Sequence, residues 1–191
     1  MDSGISDLIG LVGTPRHPRA RVAVEAQVWA DVEYRLGLPC PPDFKQLLAT
    51  FGEHAWGGFL WVLSPSSSNE NLHLERRGHR LPGALHELRR KDADEIPFAL
   101  YPETSGLLPW GVTDNGDMLL WLTQGPAHWW PTIIVEARGP HHERHQFSAT
   151  QLLARFLQAE LESRLLLELF EGEAPLDSDP GWAAESSETS A

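Results

Sequence analysis

The chain has 191 residues, of which 41% are hydrophobic, so it carries enough apolar side chains for one globular domain with a full core. Its formal net charge of −12 argues against nucleic-acid binding, which needs clustered Lys and Arg, whereas an acidic surface suits either solubility or a basic protein partner. One cysteine, Cys40, excludes an internal disulfide, and with neither a membrane-spanning apolar segment nor a basic leader we expect a cytoplasmic protein without membrane contact.

The first part of the chain predicts helices separated by proline-rich connections. A short helix over 6–12 and the linker that follows it make up the predicted N-terminal segment 1–21. The amphipathic pattern of 22–36, with Trp29 among its apolar positions, predicts a longer helix with Gly37 just beyond its end.

A third helix is expected to begin at Asp43, whose carboxylate suits an N-cap, and to end at Phe51. The apolar run 59–63, which contains Trp61, is bounded by Gly-Gly and Pro and predicts a strand. Residues 96–101 predict only a short edge strand, because the proline within them cannot donate to a sheet ladder.

The charged segment 71–91 predicts an interrupted helix. Pro82 lacks a backbone donor and would cost about 3 kcal/mol inside a helix, and Gly78 lies one turn before it. We therefore expect two helical pieces, or a kink near Pro82. The candidate inward positions are Leu74, Leu81, Leu85 and Leu88.

The centre of the chain, 107–137, predicts a three-stranded antiparallel meander. Asn115 and Gly116 suit the two central positions of a type I′ turn, both of which need positive φ. The facing pairs expected from that two-residue turn are Asp114–Asp117, Thr113–Met118, Val112–Leu119 and Trp110–Trp121.

Both faces of the meander are apolar, because side chains alternate along a strand. One face carries Leu108, Trp110, Val112, Leu119 and Trp121, and the other carries Met118, Leu120 and Leu122. The fold class expected is therefore α+β: a single domain over 22–170 in which helices cover a central antiparallel sheet. The large side chains expected in its core are Trp29, Phe51, Trp61, Trp110 and Trp121.

After the meander, 143–147 predicts a fourth strand and 150–170 a final helix with a leucine-rich stripe. Segment 171–191 is acidic and nearly free of core-forming residues, so we expect it to be disordered.

The order of short motifs along the chain resembles a known family. After Trp29 come Leu-Gly-Leu-Pro at 36–39, Pro-Asp-Phe-Lys at 42–45, Phe-Gly at 51–52 and Gly-Gly-Phe-Leu at 57–60. Later come Trp-Gly-Val-Thr-Asp-Asn-Gly-Asp at 110–117, Trp-Pro-Thr-Ile-Ile-Val at 130–135 and Phe-Ser at 147–148. Over about 22–167 this combination is similar to the SUKH superfamily of Smi/Knr-like proteins.

The resemblance implies a SUKH-like α+β fold and a protein-binding role. Most bacterial members are thought to be immunity proteins that bind and neutralise toxins, often nucleases or deaminases, and the family also includes a yeast cell-wall synthesis regulator. No catalytic residue or cofactor comes with the family.

We therefore expect a monomeric immunity protein that occludes a basic toxin domain and catalyses no reaction. The alternative is a regulatory protein-interaction module, for example in cell-envelope synthesis. An enzyme is the third and least favoured hypothesis.

The candidate partner-binding residues lie near the meander. Asp114 and Asp117 suit hydrogen bonds to turn amides, which we favour over a divalent cation, and they remain candidates for partner contact. Trp129 and Trp130 are adjacent, so one can lie in the core and the other on the surface. Packing in or beside the core is favoured for both, and an exposed indole would be a candidate binding anchor. Glu103 completes this set.

For three further groups of residues, a structural or solvent-exposed role is favoured over a functional one. His141, His142 and His145 suit solvated loop positions better than a metal pair. The basic stretch Arg76 to Lys91 is interleaved with acids, which is typical of a solvated helix face. Cys40 lies between prolines and is expected to be inert.

Overall fold

The computed structural model describes residues 3–13, 25–91, 96–139 and 141–167. Within these ranges the helices are α1 (Ser3–Val12), α2 (Ala26–Leu36), α3 (Pro42–Phe51), α4 (Leu74–Lys91), α5 (Ala149–Leu157) and α6 (Arg164–Leu167). The strands are β1 (Ala55–Trp56), β2 (Leu60–Val62), β3 (Leu107–Thr113), β4 (Met118–Leu122), β5 (Thr132–Val135) and β6 (His142–His145). The linker after α1 and the expected disordered tail 171–191 lie outside the described residues.

The six strands form one antiparallel sheet in the order β1-β2-β3-β4-β5-β6, so every strand pairs with its neighbour in the chain. All residues of β3, β4 and β5 are buried, as expected for strands covered on both faces. The predicted α+β class and meander are confirmed, although the two-residue strand β1 was not predicted.

The two faces of the sheet belong to two apolar clusters. The first contains the predicted set Leu108, Trp110, Val112, Leu119 and Trp121, together with side chains from α1, α2, α3 and α5. The second contains Met118, Leu120 and Leu122, together with Leu85, Ile96 and Leu100. The predicted division of the meander into two apolar faces is therefore confirmed.

Phe44 of α3 is the aromatic centre of the first cluster. Its ring is fully buried and meets Trp29, Trp110 and Trp121 edge-on, at centroid distances of 6.3, 6.3 and 4.7 Å. Edge-to-face contacts of this kind add to the free energy gained by burial. Of the predicted core residues, Trp61 differs: it is only half-buried, because its indole lies near the hairpin surface.

The hairpin between β3 and β4 does not have the predicted two-residue turn. Gly116 N donates to Thr113 O at 2.9 Å and Thr113 N donates to Asp117 O at 2.9 Å, which closes a three-residue loop. In that loop Gly116 has φ +92°, whereas Asn115 keeps a negative φ. This matches a type I turn followed by one left-handed residue, so Asp114 does not face Asp117.

The register of β3 against β4 differs from the prediction for the same reason. Val112 pairs with Met118, and a β-bulge between Pro109 and Gly111 leaves Trp110 without a direct partner. Trp121 pairs with Leu108 instead. The indoles of Trp110 and Trp121 nevertheless stack at 6.4 Å, because the bulge keeps both on the same face.

Helix α4 is continuous through Gly78 and Pro82, so the predicted division into two helical pieces is wrong. Packing outweighs the cost of proline, since Leu74 and Leu85 are fully buried and α4 lies close against its neighbours. A Cβ atom at Gly78 would lie 3.2 Å from Leu108 Cδ1, which shows how near β3 the helix passes. The side chains of Leu81 and Leu88 lie outside the described part.

Residues 96–101 form no strand, so the predicted short edge strand is wrong. Leu100 makes only an isolated parallel bridge to Leu107, and the Tyr101–Pro102 peptide bond is cis. The Tyr101 hydroxyl donates to Leu36 O at 2.9 Å, which ties this loop to the end of α2.

The expected single helix 150–170 is instead two helices separated by a turn. Ala159 has φ +55°, and such a left-handed residue ends α5. Helix α6 then starts at Arg164, where Glu143 of β6 accepts hydrogen bonds from Arg164 N and Leu165 N at 2.8 and 3.3 Å. A carboxylate that bonds these free amide groups favours a second helix start.

Helix α1 packs closely on α5, with Ile5 and Leu8 fully buried in the first cluster. At Gly4 a Cβ atom would lie 2.5 Å from Thr150 Oγ1, so only glycine allows this approach. Asp43 does not cap α3 as predicted, because Pro41 occupies the N-cap. Its buried carboxylate accepts from Thr150 Oγ1 at 3.0 Å and so links α3 to α5.

Replacing Phe44 with Ala should lower the free energy of unfolding by about 3–5 kcal/mol, because the cavity would open between three indoles. Urea denaturation followed by circular dichroism measures the change. Tyr34→Ala, at an 88% exposed position, is the matched control and should change stability by less than about 0.5 kcal/mol. Equal losses in the two variants would contradict a core centred on Phe44.

Stability should also fall between pH 6.5 and 4 because of His54, which is buried between Phe51 and Trp56 at ring distances of 6.3 and 4.3 Å. Burial lowers the pKa of His54 to about 4. In this window the unfolded chain binds a proton at this histidine and the folded chain does not, so unfolding is favoured as pH falls, by at most about 3 kcal/mol.

The measurement is the difference in unfolding free energy between the wild type and His54→Phe, taken from pH 8 to pH 4. That difference should be constant above pH 7 and should move in favour of the variant below pH 6.5. Parallel curves over the whole range would show that His54 does not titrate on unfolding.

Candidate partner-binding site

The predicted partner-binding residues lie at opposite ends of the sheet. Asp114 lies in the β3–β4 hairpin, whereas Glu103 precedes β3 and Trp129 lies between β4 and β5. Seven residues of β3 separate the two ends, which corresponds to about 20 Å at about 3.3 Å per residue. A compact partner could therefore contact either Asp114 at the hairpin end or Glu103 and Trp129 at the opposite end, but not both groups at once.

The end that carries Glu103 and Trp129 is built from two loops that contact each other. Thr123 donates to Gly106 O through its N–H at 3.3 Å and through its hydroxyl at 2.7 Å. These bonds join the segment before β3 to the segment after β4. We call the surface formed by residues 102–105 and 124–129 the tryptophan end.

At the tryptophan end one of the two adjacent indoles is buried and the other is exposed. Trp130 is buried, donates from Nε1 to Gly125 O at 2.9 Å and contacts the Trp121 ring at 6.0 Å. Trp129 is 72% exposed, in a 3₁₀ turn formed by Ala127–Trp129. The buried indole thus anchors the loop that presents the exposed one.

The surroundings of Trp129 are weakly polar. Its ring meets His128 edge-on at 5.0 Å, and Glu103 is exposed on the neighbouring loop. Glu103 is the one carboxylate within residues 102–105 and 124–129, and these residues include no Lys or Arg. The tryptophan end therefore offers one large aromatic ring with a negative charge on the adjoining loop.

At the hairpin end, Asp117 is a structural residue that a partner cannot reach. It is 7% exposed, and its two carboxylate oxygens accept from the Thr113 hydroxyl at 3.0 Å and from Ala137 N at 2.9 Å. Asp114 is exposed and accepts from Trp61 Nε1 at 2.7 Å. The two carboxylates have separate partners, so they do not converge on a shared cation position.

The histidine cluster lies along β6 and beside α6. His145 Nε2 is 3.2 Å from Glu143 Oε2, and the other oxygen of Glu143 bonds the start of α6. Burial raises the pKa of Glu143, but hydrogen bonds from Ser163, Arg164, His145 and Leu165 outweigh it and hold the pKa below its usual range. Among the described residues, no group of three or more His, Cys, Asp or Glu is arranged to hold a metal ion.

Two arginines of the basic stretch on α4, Arg76 and Arg80, are exposed, as predicted for a solvated helix face, whereas Arg77 is half-buried. Arg76 and Arg80 both reach Glu70, and Arg35 of α2 reaches Glu75 at 2.8 Å. The pairs with Glu70 are well exposed, so they contribute little to stability. The side chains of Arg89, Arg90 and Lys91 lie outside the described part.

Cys40 is buried beside α2 and α3. Burial, followed by the nearby Glu33 carboxylate, raises the pKa of its thiol to about 12. The thiolate that would act as a nucleophile or metal ligand is therefore absent at neutral pH.

Two interactions that matter for the architecture were not found from the sequence. The sequence places Glu143 in a strand and between the clustered histidines, but nothing near it in sequence points to Arg164 at the start of α6, 21 residues later. Arg35 and Glu75, 40 positions apart, likewise carry no local signal of their pairing. Contacts of this range depend on the tertiary fold.

Comparison of the sequence with profiles of known protein families, and with curated proteins, gives no match. Within the described ranges, no helix combines the length and apolar character that crossing a membrane requires.

Asp117→Ala should lower the free energy of unfolding by about 1–3 kcal/mol, because the partly buried Ala137 N–H and the Thr113 hydroxyl would both lose their acceptor. Asp114→Ala removes the acceptor of Trp61 Nε1 at an exposed position, where water can replace it, and should cost less than about 0.5 kcal/mol. Thermal or urea unfolding of the two variants measures the contrast. Similar losses would mean that both aspartates share one role.

Proposed function

We propose that this protein is an immunity protein: it binds a toxin domain through a pre-folded surface and blocks access to the toxin's active site. The proposal is supported by the resemblance to the SUKH superfamily, by the exposed indole of Trp129 and by the acidic charge of the chain.

The observation that carries the proposal is the presentation of Trp129. Large aromatic side chains dominate the energetics of protein interfaces when they enter a pocket on the partner. Trp129 is 72% exposed, yet its loop is held by the buried neighbour Trp130 and by the bonds from Thr123 to Gly106. A rigid loop loses little conformational entropy on binding, which favours tight association.

Charge gives the partner its chemistry. The net charge of −12 favours a basic partner, and toxins that act on nucleic acids need basic surfaces to hold phosphates. Glu103, exposed on the loop that Thr123 joins to the loop of Trp129, adds a negative charge to this surface. A nuclease or deaminase toxin therefore fits better than an acidic target, and its basic substrate groove is the part that this surface would cover.

Regulation of cell-envelope synthesis through protein binding is the alternative that the same resemblance allows. A regulatory protein would use a rigid binding surface in the same way. Its partners would be proteins of the cell's own envelope synthesis in place of a toxin domain. The identity of the partner separates the two functions.

The test is co-expression with the toxin encoded beside this gene, scored as survival, together with calorimetric titration of the purified pair. Trp129→Ala should weaken binding by about 30-fold or more and remove protection, as expected for a central aromatic anchor. Tyr34→Ala, the matched exposed aromatic on α2, should leave both unchanged.

A neighbouring toxin that kills equally with and without this protein would overturn the immunity function. Unchanged affinity in Trp129→Ala, with protection intact, would instead overturn the assignment of the tryptophan end as the binding surface.

A further inference from the structure

The last strand of the sheet, β6, has an open edge. It pairs with β5 through the register Thr132–His145, Ile133–Arg144, Ile134–Glu143 and Val135–His142. Glu136 N donates to His141 O at 3.0 Å, which fixes the alternation of hydrogen-bonded pairs along this ladder. It follows that the backbone N–H and C=O groups of Glu143 and His145 point to β5, whereas those of His142 and Arg144 point away from it.

The outward backbone groups of His142 and Arg144 make no hydrogen bond to any part of the chain that the structure describes. An exposed strand edge of this kind is a template for another strand. Recognition by strand addition uses these main-chain groups for affinity and the alternating side chains for specificity.

A groove runs along this edge. It has a volume of about 1250 Å³ and lies between β6 and the segment from Glu160 to Leu165. A second groove of about 410 Å³, reaching Ser3 and Asp7 of α1, shares Phe147 and Arg155 with it. Since Arg155 lies over the Phe147 ring at 4.4 Å, the shared floor is partly apolar and held in place.

A second copy of this chain is a poor occupant of the edge. Two β6 strands related by a two-fold axis must pair residues whose backbones both point outward or both inward. When the two-fold axis passes near the middle of β6, Arg144 of one copy faces Arg144 of the other, or Glu143 of one copy faces Glu143 of the other. Like charges directly opposite each other are destabilising, so the edge disfavours self-pairing.

The charges at the edge favour a carboxylate opposite Arg144. Arg144 and Arg164 are exposed and have no carboxylate within 4.0 Å in the described ranges. The acids that line the groove are Glu136, Glu143, Glu160 and Glu162, and none of them lies within 4.0 Å of Arg144. Both oxygens of Glu143 are engaged, and Glu160 lies 4.0 Å from Arg155. The Arg144 guanidinium donates to the Gln146 side-chain oxygen at 2.9 and 3.3 Å, but its positive charge is not neutralised by a carboxylate of the described residues. An acidic residue on an added strand would therefore meet an unneutralised positive charge at this position.

We propose that the open edge of β6 binds an extended peptide segment of another protein, which joins the sheet as a seventh strand and places a carboxylate opposite Arg144. This site is separate from the tryptophan end and does not rest on the proposed immunity function. A toxin-binding protein with this edge would hold a second, acidic and extended partner segment.

The probe is a capped octapeptide that alternates Thr and Val and carries one Glu near its centre, titrated into ¹⁵N-labelled full-length protein and followed by heteronuclear NMR. We expect the amide signals of His142, Arg144 and Gln146 to shift. A peptide with Lys in place of Glu should bind about fivefold more weakly, because it faces the guanidinium with like charge.

Two variants at position 144 distinguish the contribution of the backbone N–H from that of the arginine side chain. Arg144→Ala keeps the outward N–H and should bind both peptides equally. Arg144→Pro removes that N–H, which β5 does not use, and should abolish binding while the indole signals of Trp110 and Trp121 stay in place. If the proline variant fails to fold, a probe with all of its backbone amides N-methylated makes the same test on the wild type, because neither edge of that probe can donate to β6.

Shifts at the β6 amides that are lost in Arg144→Pro, with the Glu preference lost in Arg144→Ala, would establish the site. The proposal is overturned by unshifted β6 amides at millimolar peptide, by shifts confined to the tryptophan end, or by retained binding of the N-methylated probe. Concentration-dependent dimerisation in sedimentation, with β6 shifts in the absence of peptide, would assign the edge to a second copy and also overturn it.

Discussion

A sheet that is apolar on both faces is the constraint on which the rest of the fold depends. Every residue of β3 and β4 is buried, so water must be excluded from two surfaces at once. On one face α1, α2, α3 and α5 supply the cover, with the Phe44 ring meeting three indoles. On the other face Leu85 and the segment around Ile96 do so. Both candidate binding surfaces lie away from these covered faces, one at an end of the sheet and the other along the β6 edge.

The alternation of side chains was readable from the sequence because it depends on the strand alone. The turn was not, because several local interactions compete for it. Asn115-Gly116 favours a two-residue loop, but Thr113 and Asp117 exchange side-chain hydrogen bonds across a three-residue loop and stabilise it. The longer loop changes the register, and the bulge at Trp110 absorbs the difference while keeping its indole inside. Register thus depends on contacts that a dipeptide preference does not contain.

The remaining errors come from contacts between residues far apart in the chain. Packing of Leu74 and Leu85 holds α4 together across Pro82, and Glu143 starts α6 from a neighbouring strand. Of the candidate site, the sequence located the pair Trp129–Trp130 because adjacent side chains must diverge. It grouped Asp117 with surface residues, since burial of a carboxylate depends on the partners that the fold brings to it. The edge groove required the strand order, which no local pattern encodes.

The chain of indoles Trp110, Trp121 and Trp130, with neighbouring centroids 6.4 and 6.0 Å apart, has an optical consequence. Neighbouring rings in this chain are inclined to one another by 27° and 54°. At these distances their electronic transitions couple, so that the excited state is delocalised over neighbouring indoles. The folded protein should accordingly show a split ultraviolet dichroism band that reports on contact between β3, β4 and the 123–131 loop. That band offers a label-free view of the sheet's aromatic face, separate from the emission of the solvent-facing ring at position 129.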